Sequence, residues 1–197
     1  MVKGSALLIV DVQNDFCPGG ALGVSGGDGI IPLINRYIEI FGERGALVIA
    51  SRDWHPPVTS HFREFGGIWP AHCVAGTSGA EFRDGLRLPM GCLVFSKGMD
   101  PEHDDYSALA ARNDEGVPLS DFLRREGVGL VYVCGLATDY CVLQTALHAL
   151  KQGIAVTVLS DAVRGVDLTP GDSQRALAEM EGAGARLAAL SNIVAGE

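Results

Sequence analysis

Basic side chains are scarce in this chain. Fifteen Lys and Arg stand against 24 Asp and Glu, leaving a net charge of -9 and a pI near 4.9. An acidic surface of this kind argues against nucleic acid and anionic membrane as partners. Long apolar runs are also missing. Nothing approaches the ~18 residues that a membrane helix needs. The apolar run near the N-terminus, Ala6 to Val10, is stopped by Asp11 and is too short for a signal peptide's apolar region. The expectation is a cytoplasmic protein. Cysteines number five. An odd count without an export signal argues against a disulfide framework, so each is a free thiol to be weighed as core filler, ligand or nucleophile.

Internal repeats and low-complexity linkers are absent as well. A chain of 197 residues, 47% hydrophobic and 20% charged, suits one soluble domain spanning 1–197. Oligomeric state is left open, a homo-oligomer included.

Short apolar runs alternate with helical patterns. Strands are expected at Ala6–Val10, Leu47–Ser51, Cys92–Ser96, Leu130–Cys134, Ile154–Ser160 and Arg186–Leu190. Ile30, Leu33, Ile34, Tyr37, Ile38 and Phe41 recur every three to four residues and predict an amphipathic helix. Further helices are expected at Pro118–Glu126, at Asp139–Gln152 with Thr138 as N-cap and Gly153 as stop, and at Asp172–Glu181. Strands without alternation, separated by helices, imply a mostly parallel sheet of about six strands in a three-layer α/β/α sandwich. Residues 52–90 form a long irregular segment rich in Gly, Pro and His, and loops of that length are usually functional.

Active sites of such sheets lie beyond the carboxyl ends of the strands. Asp11, Asp53, Lys97 and Cys141 follow the first four strands. Cys141 falls in the first turn of an expected helix, where free amides and the helix dipole lower a thiol's pKa and offer an oxyanion hole. It is a candidate nucleophile, with a Cys in a helix's apolar stripe as the alternative. Asp11 is a candidate base if burial raises its pKa, and Lys97 supplies a nearby positive charge. Cys92 and Cys134 are expected to be core filler in buried strands. Cys17 and Cys73 lie in loops and are candidates for exposure.

Asp53 and His55 are two residues apart and point to one side of an extended segment. His72 follows nineteen residues after Asp53, and His61 lies between. An Asp/His set of this kind suits one divalent ion, Zn²⁺, Fe²⁺ or Mn²⁺, with zinc placed first. His103 and His148 are assigned no role.

Five stretches in order resemble the isochorismatase-like cysteine hydrolases, and within them the nicotinamidase branch. They are Asp11-Val12-Gln13-Asn14-Asp15-Phe16, Arg52-Asp53-Trp54-His55-Pro56, Trp69-Pro70-Ala71-His72-Cys73, Lys97-Gly98 with Tyr106-Ser107, and Gly135-Leu136-Ala137-Thr138-Asp139-Tyr140-Cys141. The resemblance implies a catalytic triad of Asp11, Lys97 and Cys141. It implies metal ligands Asp53, His55 and His72, with His61 a ligand in some members. It also implies a cis peptide between Leu136 and Ala137, an oxyanion hole from the Ala137 and Cys141 amides, and substrate contacts from Phe16, Trp69, Tyr106, Leu136 and Ala137. The implied reaction is metal-dependent hydrolysis of nicotinamide to nicotinate and ammonia through a cysteine thioester, with pyrazinamide also accepted. Three alternatives stand beside it: attack by a metal-bound hydroxide, a family member acting on another small amide or carbamoyl compound, and an inactive binding module.

Overall fold

The first apolar run forms β1 (Ser5–Val10), buried along its whole length. Its side chains alternate between two cores. Ala6, Leu8 and Val10 join one cluster and Leu7 and Ile9 the other, so the strand needs apolar residues at every position. This computed structural model describes residues 4–195. Residues 1–3 and 196–197, part of the expected 1–197 domain, lie outside the described residues.

Among the described residues, β1 joins β2 (Leu47–Asp53), β3 (Leu93–Lys97), β4 (Leu130–Leu136), β5 (Ala155–Arg164) and β6 (Arg186–Ala188) in one sheet of order β3-β2-β1-β4-β5-β6. Every pairing is parallel. Helices α1 (Ile31–Glu43) and α5 (Leu190–Ala195) cover one face. On the other lie α2 (Leu119–Arg125), α3 (Leu143–Lys151) and α4 (Asp172–Gly182). This is the expected three-layer α/β/α sandwich. Among the described residues no helix is long and apolar enough to cross a membrane.

Four local expectations need correction. The helix expected at Asp139–Gln152 begins instead as a π-helical turn, Thr138–Val142, and becomes α-helical only at Leu143. Both Tyr140 N–H and Val142 N–H reach the Ala137 carbonyl, and the second of these bonds widens the turn. Thr138 makes no side-chain cap bond. Strand β5 runs past Ser160 to Arg164 because the polar Asp161 is satisfied in place. Its carboxylate accepts the Tyr37 hydroxyl at 2.7 Å and the Leu190 N–H at 2.9 Å. The last strand stops at Ala188, where the Asn192 side chain accepts the Ala189 N–H and α5 begins. Cys92 precedes β3 and is half-buried at the sheet's edge, whereas the loop cysteines Cys17 and Cys73 are fully buried.

The segment 54–92 holds its course by short 3-10 turns and single bridges, His55 to Val74 and Phe62 to Trp69. It packs His55, His61, Phe62, His72 and Cys73 inside the molecule.

Candidate active site

Strands β1 and β4 lie side by side at the middle of the sheet, and the connections from them run in opposite directions. The crevice at such a switch point is where α/β sheets bind ligands. Asp11 stands at the end of β1 with φ +50°, a conformation in which Asp is among the tolerated residues. Asp53 and Lys97 end β2 and β3 and are paired in register. Cys141 sits in the π-helical turn just after β4. Four chain segments thus deliver four reactive side chains to one point.

Lys97 is the hub. Its Nζ lies 2.9 Å from Asp11 Oδ2, 3.4 Å from Cys141 Sγ, and in contact with Asp53 Oδ1. Asp11 Oδ1 accepts the Ser51 hydroxyl at 2.7 Å. Asp11 Oδ2 receives no aligned hydrogen bond. Its close neighbour is the Lys97 ammonium, and oxygens of Asp11 and Asp53 and the Cys141 sulfur lie within 4.8 Å of one another.

Burial sets the proton affinities. It pushes Asp11 above the usual carboxylate range, against the pull of Lys97, with the Asp53 charge adding to the rise. Burial acts the same way on Asp53, but there the Lys97 charge and His55 prevail and hold the carboxyl well below its ordinary value. Lys97 loses hydration too, yet the two carboxylates keep it charged and raise it. The Cys141 thiol is pushed up by burial, with Lys97 opposing. This direction is opposite to the lowering expected from a helix N-terminus, and removal of the thiol from water is its first cause.

On the other side of Asp53 lie three histidines. The candidate ligand nitrogens of His55, His61 and His72 are within 4.8 Å of one another. His55 Nδ1 meets Gly98 O at 2.9 Å and His72 Nδ1 meets Pro70 O at 2.8 Å. Each bond fixes the tautomer and leaves Nε2 as the lone-pair nitrogen. His55 Nε2 is buried without a hydrogen-bond partner, 3.7 Å from Asp53 Oδ2. A buried polar atom is seldom left so, and a divalent cation would satisfy it. Three imidazoles and a carboxylate fit such an ion. Gly98, at φ +66°, lets the chain pass the His55 ring, since a Cβ there would come within 2.4 Å of it.

A cavity of about 50 Å³ adjoins both groups. Asp53, His61, His72 and Cys141 line it together with aromatic residues. Trp69 donates its Nε1–H to the Tyr106 hydroxyl at 2.9 Å, which locks two of the walls together.

Residues 5–191 match the isochorismatase domain. The chain belongs to the isochorismatase family. It is 41% identical over 203 residues to the nicotinamidase of Escherichia coli, covering 95% of each chain. The structure is similar to that of the pyrazinamidase of Pyrococcus horikoshii in complex with zinc, with a TM-score of 0.86 and 49% identity over 95% of this chain and 99% of that one. It is also similar to PnC1 of L. infantum in complex with nicotinate, with a TM-score of 0.87 and 37% identity over 96% and 94% of the two chains.

Within this isochorismatase-family fold, Phe16, Trp69, Tyr106, Ala137 and Cys141 all reach the cavity. The peptide between Leu136 and Ala137 is cis. Leu136 does not line the cavity and is fully buried in the same core cluster as Ala137. Leu22, Asp105, Tyr140 and Val166 line the cavity without having been singled out in the sequence. Tyr140 carried a signal, since it adjoins Cys141. Val166 carried none. It is brought in by Asp139, whose carboxylate accepts the Val166 and Asp167 N–H groups at 2.9 and 2.8 Å.

Proposed function

We propose that this protein hydrolyses nicotinamide to nicotinate and ammonia through a thioester on Cys141, and accepts pyrazinamide as well. The observation that carries the reading is Lys97 Nζ in reach of Cys141 and both carboxylates, beside a cavity that Cys141, Asp53, His61 and His72 line together. The nicotinamidase, pyrazinamidase and nicotinate-bound relatives support the substrate class.

The ring stacks among Phe16, Trp69 and Tyr106, with its amide toward Cys141. Asp53, His55 and His72, joined by His61, would hold one divalent ion, which when bound supplies a Lewis-acid contact that orients the ring nitrogen. Zinc is the ion proposed, with iron or manganese as alternatives. Asp11 takes the thiol proton, and the sulfur forms a bond to the amide carbon as the carbonyl electron pair moves to oxygen. Lys97 keeps the added negative charge tolerable in a site with two carboxylates. The Ala137 and Cys141 N–H groups receive the oxyanion. Asp11 returns its proton to the departing nitrogen, the C–N bond breaks, and ammonia leaves. Asp11 then takes a proton from water as the water attacks the thioester, and nicotinate and the thiol are released. Five unpaired cysteines fit a reducing compartment, which supports the cytoplasm as the place of action.

The test is ammonia release from nicotinamide by the zinc-loaded protein and by Cys141→Ala. Activity confined to the wild type is expected. Activity surviving in Cys141→Ala would overturn the thioester route in favour of metal-bound hydroxide. An inactive wild type that hydrolyses another amide would overturn the substrate.

A further inference from the structure

We infer that Asp104 is a positioning residue for the metal site, acting through His61 to hold the divalent ion. The inference rests on the reading that His55, His61 and His72 with Asp53 bind such an ion.

The three histidines are not braced alike. His55 and His72 rest on backbone carbonyls, while the Nδ1 of His61 is bonded to the Asp104 carboxylate. A carboxylate behind a ligand imidazole fixes its tautomer and orientation, turns Nε2 toward the ion and makes it a stronger donor. Asp104 also adds a negative charge beside the histidines, on the side away from Asp53's contact with His55.

The segment carrying Asp104 is fastened to the segment carrying His61. The Pro101 carbonyl accepts the Ser60 N–H at 2.8 Å and the Thr59 hydroxyl at 3.1 Å. Thr59 Oγ1 in turn accepts the His61 N–H at 3.3 Å. The His61 ring stacks on His55 with centroids 4.6 Å apart. Backbone, ring face and Nδ1 are therefore each held by a different group, and Asp104 holds the Nδ1.

A neighbouring pair shows what an ordinary surface contact looks like here. Asp100 lies 3.3 Å from His103, and the His103 side chain is 77% exposed. The His61 side chain is 6% exposed while the Asp104 side chain is 40% exposed. Only in the second pair does a surface carboxylate reach a buried imidazole that lines the cavity.

The experiment measures zinc affinity and the rate of zinc loss to a chromogenic chelator for wild type, Asp104→Asn, His61→Ala, the double variant and Asp100→Asn. Asp104 is at the surface, so its substitution leaves the fold intact, which a thermal melt checks. We expect Asp104→Asn to weaken zinc binding roughly 10- to 100-fold, His61→Ala to weaken it at least as much, and the double variant to match His61→Ala. Asp100→Asn should bind as wild type does. Wild-type affinity in Asp104→Asn, an equal loss in Asp100→Asn, or additive losses in the double variant would each overturn the assignment. A wild type that takes up no zinc would overturn the metal reading together with it, whereas a loaded wild type with an unaffected Asp104→Asn would sink only the role of Asp104.

Discussion

The Gln13 amide grips the backbone of Asp53 from both sides. Its Oε1 accepts the Asp53 N–H at 2.7 Å and its Nε2 donates to the Asp53 carbonyl at 2.8 Å. The same Nε2 donates to Ala80 O at 2.9 Å. β1 has ended before this point, so on that side a side chain replaces strand pairing, while β3 still pairs with Asp53 on the other. Asp53 is thereby fixed between Lys97 and the histidines.

Gln13→Ala should therefore destabilise the protein and loosen the metal site together. Three buried backbone groups lose their partner, at about 1–3 kcal/mol each. Thermal unfolding should fall by roughly 10 °C or more. Unchanged melting and unchanged zinc content would show that the clamp is dispensable.

Lys97→Met should abolish amide hydrolysis and also weaken the fold. Removing one partner of a buried ion pair costs about 3–5 kcal/mol, because Asp11 and Asp53 are left unpaired. Activity should drop at least ~10²-fold. Arginine should not rescue it, since its planar fork does not fit between two carboxylates and a sulfur. Ammonia release and calorimetry check the two effects separately.

Tyr106→Phe removes the acceptor of the Trp69 N–H but keeps the ring. The loss is about 1 kcal/mol of wall rigidity, equivalent to a several-fold rise in KM with kcat little changed. Steady-state kinetics decide it. A fall in kcat alone would mean that the hydroxyl acts on the reacting amide.

His72 carries a pH prediction for the metal-free protein. Burial lowers its pKa from 6.5 to about 4, with the Pro70 carbonyl opposing. The unfolded chain binds a proton there at a pH where the folded chain does not. The stability it contributes is present above pH 6.5 and is lost as pH falls through the folded value of about 4. The shift is on the order of 3 kcal/mol. Asp11 acts in the opposite sense. Its raised value contributes stability at low pH that is lost as pH rises above 3.8. The comparison that isolates His72 is wild type against His72→Gln. The wild type should lose more stability than the variant between pH 7 and pH 4.5, by denaturant titration of chelated protein. Parallel losses would remove His72 as the cause.

Where chemistry lies at a strand end, it was legible in the sequence. Asp11, Asp53 and Lys97 each follow an apolar run, and the parallel-sheet rule gathers them at one edge. Short apolar runs located all six strands. What they missed were groups whose partners are remote. Asp161 looks like a strand stop until Tyr37, 124 residues away, satisfies it. Gln13 stood within a recognisable motif, but its hold on Asp53 spans 40 residues and leaves no pattern. Cys141 was legible as a candidate nucleophile by position. Its proton affinity was not, because burial is a property of everything packed around it.

The sequence by itself determined the layers, the parallel sheet and the residue types available for nucleophile, base, cation and metal. These follow from local periodicity and from chemistry that each side chain carries alone. Only the tertiary structure decided that Asp53 is shared between Lys97 and the histidines, that Val166 lines the cavity while Leu136 does not, and that Asp104 stands behind His61. Those relationships depend on distances between segments far apart in the chain. Such distances are fixed by strand order and packing, which no single stretch of sequence contains.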